Sequence, residues 1–145
     1  MIQKILYLIP SCFFIGNIKG GGTIASLLFC LLLLVFKLTD IQMIMIFSAV
    51  LFFSAVSIEY SDLFKGDDKR IVADEFIGMT VSMLFLPKTL LITSGAFILF
   101  RYFDIAKPLF IKNAEKVKGP AGIILDDILS GIAANVLVRT ILWAV

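Results

Sequence analysis

Five apolar stretches alternate with short polar segments along the chain, and they are located at residues 24–36, 41–58, 71–86, 89–100 and 123–145. A helix crosses a bilayer with about 20 apolar residues. The shorter stretches reach that length only by including their polar flanks or by thinning the membrane locally. The pattern therefore predicts an all-α integral membrane helical bundle of about five transmembrane helices, formed as a single domain over residues 1–145.

A further apolar segment, residues 2–16, precedes these stretches and is followed by a cluster of glycines at residues 20–22. Lys4 near its start is typical of a signal peptide, but no small-residue cleavage context follows. We therefore expect a short membrane-associated or re-entrant helix at the N-terminus.

Composition supports the membrane assignment and excludes several other classes. Hydrophobic residues make up 60% of the 145 residues and charged residues 17%, with a mean hydropathy of +1.04. A soluble domain has about 25% charged residues, and a chain of this size has too much surface to hide so many apolar side chains. The net charge of +2 is too small for a polyanion binder, so we expect no nucleic-acid partner. No feature of the sequence indicates an obligate protein partner.

The residue types that are missing restrict the chemistry. The chain has no histidine, which excludes an imidazole base, nucleophile or metal ligand. Its two cysteines, Cys12 and Cys30, lie in apolar runs, and neither is followed by the arginine of a Cys-x5-Arg phosphatase loop. An Asp-x-Asp nucleophile motif is also absent from the sequence.

Alternation of five helices would place three polar loops, residues 17–23, 59–70 and 101–122, on one side of the membrane. These loops carry nine of the thirteen lysines and arginines. Because basic residues concentrate in cytoplasmic loops, we expect this side to face the cytoplasm. We expect the acids within the second loop to be solvated: Asp62, Asp67 and Asp68.

Two adjacent acidic pairs, Asp74–Glu75 and Asp126–Asp127, enter apolar helices on this same side. An acid at a helix start is also favoured by the helix dipole alone, but two pairs on one side favour a site. Neighbouring carboxylates repel each other and stay charged only beside a strong cation. Carboxylate oxygens suit Mg²⁺, which also binds water and substrate phosphate oxygens. All four acids are therefore candidate Mg²⁺ ligands.

Four segments carry a resemblance to a known family. They are K-G-G-G-T-I-A-S (19–26), I-V-A-D-E-F-I-G-M (71–79), F-R-Y-F-D-I-A-K-P (100–108) and G-I-I-L-D-D-I-L-S-G (122–131). In this order they resemble the phosphatidylglycerophosphatase A family of bacterial membrane lipid phosphatases, from about Gly16 onward.

The resemblance implies an enzyme that removes the terminal phosphate of phosphatidylglycerophosphate with the help of Mg²⁺ and leaves phosphatidylglycerol. Its substrate would be a phospholipid in the bilayer, and the protein would be a multi-pass protein of the bacterial inner (cytoplasmic) membrane with a cytoplasmic active site. The chain departs from the usual family pattern at three positions: Gly21, Ala25 and Asp68.

On this basis we expect Asp74, Glu75, Asp126 and Asp127 to hold Mg²⁺, which activates a water for in-line attack on phosphorus. Asp104 would either complete the metal shell or orient that water as a base. The predicted catalytic residues are thus Asp74, Asp104 and Asp127. The predicted phosphate-binding residues donate hydrogen bonds or positive charge at the same end of the bundle: Lys19, Thr23, Ser26, Arg101 and Lys107.

Three alternatives belong to other functional classes. An ion- or proton-coupled transporter also needs intramembrane carboxylates, although such sites usually lie near the bilayer midplane. A lipid headgroup transferase would use the same metal chemistry without releasing phosphate to water. A non-enzymatic membrane subunit would tolerate neutralisation of all four paired acids.

Overall fold

The computed structural model describes residues 7–60, 68–114, 117 and 120–144, and the regular elements in these ranges are all helical. This confirms the all-α prediction for the described part of the chain. A short 3-10 helix, Ile15–Asn17, comes first. Six α-helices follow it: α1 (Gly21–Phe36), α2 (Asp40–Tyr60), α3 (Ala73–Met83), α4 (Leu90–Ala106), α5 (Leu109–Ala114) and α6 (Pro120–Ala144).

Among the described residues, α2 is the one helix that is both long and apolar enough to cross a membrane. It has 21 residues, and only 17% of its most apolar part is buried in the protein. Phe52 and Phe53 are accordingly exposed on its surface. Helix α1 is also apolar but is shorter. The number of about five transmembrane helices remains a prediction from the sequence.

Helix α3 is shorter than the apolar stretch 71–86 that predicted it. Its 11 residues rise about 16 Å, roughly half of the hydrocarbon core of a bilayer. The helix ends because Leu84 adopts an extended conformation and Phe85 a left-handed one. Most of its residues are buried among the neighbouring helices, so α3 lies inside the bundle.

Both ends of α3 are held by other parts of the chain. At its start, the carbonyl of Pro10 accepts hydrogen bonds from the N–H groups of Val72 and Ala73, at 2.8 and 3.1 Å. At its end, the side-chain amide of Asn135 on α6 donates to three carbonyls at 2.9–3.3 Å. Because buried helix ends leave backbone groups without partners, these contacts fix the position of α3.

The N-terminal segment reaches α3 as a series of turns. Residues 1–6 lie outside the described part; residues 7–8 are helical, and residues 9–14 form turns in which Cys12, Phe13 and Phe14 have a positive φ. Where the expected membrane-associated or re-entrant helix over residues 2–16 is described, it consists of two helical residues, the turns that follow them and the start of the 3-10 helix.

Two glycines allow α3 and α6 to approach closely. A Cβ atom on Gly78 would lie 2.7 Å from the carbonyl oxygen of Asp127 and 2.6 Å from the ring of Phe100. A Cβ atom on Gly131 would overlap the carbonyl oxygen of Gly78. Since a side chain at either position would push the helices apart, this contact brings the start of α3 against α6.

Candidate active site

Four helices contribute to one end of the bundle: α1, α3 and α6 begin there, and α4 ends there. Asp74 and Glu75 lie in the first turn of α3, as the sequence predicted. Asp104 lies in the last turn of α4. Asp127 lies in the second turn of α6 rather than at its start, because this helix already begins at Pro120. The structure thus brings acids from three helices together.

The centre of this end is a cluster of three carboxylates, Asp74, Glu75 and Asp127, called the acidic cluster below. Each offers one oxygen, and these oxygens lie within 4.8 Å of one another. Asp127 is only 3% exposed, and Asp104 lies within hydrogen-bonding reach of it. Because burial removes the water that would screen the like charges, the three carboxylates repel one another unless protons or a nearby positive charge neutralise them.

Several polar atoms around the acidic cluster are buried and have no hydrogen-bond partner in the described structure. They include Oε2 of Glu75, Oδ1 of Asp126 and Nε of Arg101. An unpaired polar atom of a charged group costs free energy when it is buried. A site that binds both a cation and an anion would have such atoms: the unpaired oxygens would bind the cation, and the unpaired Nε of Arg101 would donate to the anion.

Two basic residues of α4 and its C-terminus neutralise part of this charge. Nη1 of Arg101 lies 2.7 Å from Oδ2 of Asp104, and Nζ of Lys107 lies 2.8 Å from Oδ2 of Asp126. Adjacent helical residues point about 100° apart, so Asp126 faces Lys107 while Asp127 faces the acidic cluster. Asp126, predicted as a metal ligand, is therefore an ion-pair partner in this structure.

The start of α1 forms another wall of the site. Gly22 lies against Glu75, and a Cβ atom on it would overlap Oε1 of that side chain. Thr23 is half-buried beside it, and Lys19 is exposed in the preceding turn. Ser26 is buried, but its hydroxyl donates to the carbonyl of Gly22 at 3.0 Å. The donor of Ser26 is thus already used within its own helix.

The turn that leads into α3 contains a correction to the sequence prediction. Asp68 was expected to be solvated, but it is hydrogen-bonded by Arg70, with Nε 2.9 Å from Oδ1. This hydrogen bond from Arg70 holds the pKa of the Asp68 carboxyl below its usual range. Asp62 and Asp67, predicted to be solvated as well, lie outside the described residues.

Sequence reasoning missed two residues that position α3. Asn135 is a lone carboxamide in an apolar stretch, four residues before Arg139, and such a residue often makes hydrogen bonds between helices. That signal could have identified it. Pro10 acts through its backbone carbonyl, and no pattern of side chains reveals a contact of that kind.

Comparison with known proteins points to one family. The family described as Phosphatidylglycerophosphatase A matches residues 8–142. A Phosphatidylglycerophosphatase A from Haemophilus influenzae is 32% identical over 125 residues, which cover 83% of this chain and 76% of that protein. The protein of the same name from Escherichia coli is 39% identical over 74 residues, covering 49% of this chain and 43% of that protein.

A relative with another printed name is also similar. A Bacteroides thetaiotaomicron protein named "Putative phosphatidylinositol-3-phosphatase" is 35% identical over 82 residues, covering 54% of this chain and 52% of that protein. The matched part is thus about half the length of that relative. No solved structure matches the chain significantly. Because the family match extends over residues 8–142, the chain belongs to the phosphatidylglycerophosphatase A family.

Proposed function

We propose that this chain hydrolyses the terminal phosphomonoester of phosphatidylglycerophosphate to give phosphatidylglycerol and inorganic phosphate. Family membership indicates the phosphatase class. The observation that carries the proposal is the convergence of Asp74, Glu75 and Asp127 within 4.8 Å, beside an arginine whose Nε has no partner in the described structure. This arrangement combines ligands for a cation with a donor for a phosphate.

The donor set of the acidic cluster fits Mg²⁺. Its ligand atoms are all carboxylate oxygens, and Glu75 has one oxygen that lacks a partner among the described residues. Hard divalent cations prefer such oxygens, whereas zinc sites usually include histidine or cysteine. We assign Mg²⁺ to Asp74, Glu75 and Asp127. A bound Mg²⁺ would supply positive charge against the phosphomonoester and increase the acidity of water.

The side chains around the cluster would then perform the hydrolysis. Asp104 accepts a proton from the attacking water as the new P–O bond forms. The bond between phosphorus and the glycerol oxygen breaks, and that oxygen takes up a proton. Arg101 donates from its free Nε to the phosphate, for which its planar guanidinium is well suited. Lys107 keeps Asp126 paired and adds positive charge beside the substrate.

We further propose that the protein is a multi-pass protein of the bacterial inner membrane with its acidic cluster on the cytoplasmic side. Helix α2, which is long, apolar and largely unburied, supports membrane insertion. The concentration of lysine and arginine in three loops supports the orientation. The position of the acids at helix ends favours an enzyme that works on headgroups over a transporter with a site at the midplane.

The test is an assay of inorganic phosphate release by the purified full chain in mixed micelles. Phosphatidylglycerophosphate, phosphatidylinositol 3-phosphate and glycerol phosphate are compared, each with Mg²⁺ and with a chelator. We expect the fastest release from phosphatidylglycerophosphate and none after chelation. Faster release from phosphatidylinositol 3-phosphate would overturn the proposed substrate specificity, and full activity in the presence of the chelator would overturn the assignment of Mg²⁺. A headgroup transferase would release no phosphate to water.

A further inference from the structure

An apolar groove lies between α2 and α6, next to the acidic cluster, with a volume of about 620 Å³. Ile124, Leu125 and Ile128 of α6 form one wall, and residues of α2 including Phe52 and Ala55 form the other. Glu59 and Tyr60, at the C-terminal end of α2, also line it. The groove therefore has apolar walls and a polar end.

The groove and the candidate active site share helix α6, which carries Asp127 and forms one groove wall. Ile124 comes three residues before Asp127 and Ile128 directly follows it, so both lie within about one turn of this carboxylate along α6, on the side of the helix about 60–100° away from it. On its other side the groove is bounded by α2, the helix whose apolar surface is largely unburied. The groove thus lies between the largely unburied helix α2 and the helix that carries Asp127.

We propose that this groove holds one acyl chain of the phospholipid whose phosphate is hydrolysed, an inference that rests on the proposed function. A phospholipid joins its phosphate to its acyl chains through a short glycerol unit, so a chain must lie close to the acidic cluster when the phosphate is bound there. The groove volume is within the range of about 300–1,000 Å³ typical of small-ligand pockets.

The walls of the groove favour the acyl chain of a lipid, because one of them belongs to α2, the long apolar helix that is largely unburied. Its α2 wall extends from Leu51 to Tyr60, which corresponds to about 13 Å of helix. A flexible apolar chain can follow such a wall, and occupation of the groove by a second copy is an outcome of the labelling test below.

The first test fills the groove with Ala55→Trp and uses Ala49→Trp as the matched control, because Ala49 is exposed on the same helix and does not line the groove. We expect Ala55→Trp to lower kcat/KM for dioleoyl phosphatidylglycerophosphate at least about tenfold, since displacing about two methylene groups has that effect. Turnover of glycerol phosphate should stay unchanged. An equal loss on both substrates, or no loss on either, would overturn the proposal.

A second pair of variants covers the case in which tryptophan disturbs folding. Phe52 and Phe53 are both exposed on α2 at 63% and 51%, but only Phe52 lines the groove. Phe52→Ala should weaken use of the long-chain substrate several-fold, whereas Phe53→Ala should not. Equal effects of the two substitutions would contradict the assignment.

Photolabelling tests occupancy without requiring turnover. The full chain is reconstituted in vesicles that contain phosphatidylglycerol with a diazirine on its acyl chain, and the labelled peptides are mapped. We expect label on residues 124–128 that is reduced by Ala55→Trp and not by Ala49→Trp. Label that Ala55→Trp leaves unchanged, or protection of residues 124–128 by a second copy, would overturn the inference. If the chain without substitutions released no phosphate but was still labelled at residues 124–128, the proposed function would be refuted and the lipid-binding groove would stand.

Discussion

Gly78→Ala tests whether the close packing of α3 on α6 sets the geometry of the acidic cluster. The added Cβ would lie 2.7 Å from the carbonyl oxygen of Asp127, whereas ordinary contacts begin near 3.4 Å. The two helices must therefore separate by about 0.7 Å, and the backbone that carries Asp127 moves relative to Asp74 and Glu75. Catalysis is sensitive to such shifts, because a misplacement of about 1 Å can lower the rate about a hundredfold.

We expect Gly78→Ala to lower kcat/KM for phosphate release about tenfold to a hundredfold. Its effect on the free energy of unfolding should be small, because overpacking costs about 1–3 kcal/mol while alanine regains about 1 kcal/mol of helix propensity. Activity is measured in mixed micelles, and Tm is followed by circular dichroism on the same samples.

Gly95→Ala is the matched control, because a Cβ on this glycine of α4 has nothing within 4 Å. This variant should retain wild-type activity and gain up to about 1 kcal/mol of stability. If Gly78→Ala kept the activity of the wild type, the inference that this contact positions the carboxylates would be wrong.

Three further substitutions probe separate parts of the structure. Lys107→Ala should raise KM about tenfold, because it removes a positive charge beside the phosphate and leaves Asp126 unpaired; an unchanged KM would argue against its role. Asn135→Ala should lower the free energy of unfolding by about 1–3 kcal/mol, since three carbonyls lose the hydrogen bonds from its amide and only that of Leu84 keeps another side-chain donor, Arg139; an unchanged Tm would contradict this. Asp40→Asn weakens the ion pair with Lys88 at the other end of the bundle. It should change the free energy of unfolding by less than about 1 kcal/mol and leave phosphate release unaffected. A lower rate of phosphate release would contradict the expectation that this end of the bundle does not contribute to hydrolysis.

The sequence predicted that acids of three helices would lie at one end of the bundle, because their positions depend on the order of the helices. Asp74 and Glu75 begin one helix and Asp104 ends the next, so alternation of direction alone brings them to one end. The ion pair of Asp126 with Lys107 was not predicted. On α6, this 100° angle between adjacent helical residues explains why Asp126 and Asp127 do not face the same centre, whereas Asp74 and Glu75 in the first turn of α3 both reach the acidic cluster.

Other parts of the fold depend on backbone conformations and tertiary contacts that the hydropathy pattern does not predict. The stretch 71–86 is apolar to its end, yet the helix stops at Met83 because of the backbone conformations of Leu84 and Phe85. The short helix α5 formed in a segment predicted to be a polar loop. The support of α3 by the carbonyl of Pro10 likewise depends on the backbone and on the tertiary fold.

The central claim is that the acidic cluster is the site of hydrolysis, and Asp127→Asn tests it most directly. This change removes one charge from the cluster and almost no volume. The measurement is the rate of phosphate release from phosphatidylglycerophosphate at saturating Mg²⁺, with circular dichroism to verify the fold. Loss of a residue that only supports a metal ligand costs about 10–100-fold, so we expect loss of the ligand itself to lower the rate at least about a hundredfold. A folded Asp127→Asn protein that releases phosphate at the wild-type rate would contradict the account.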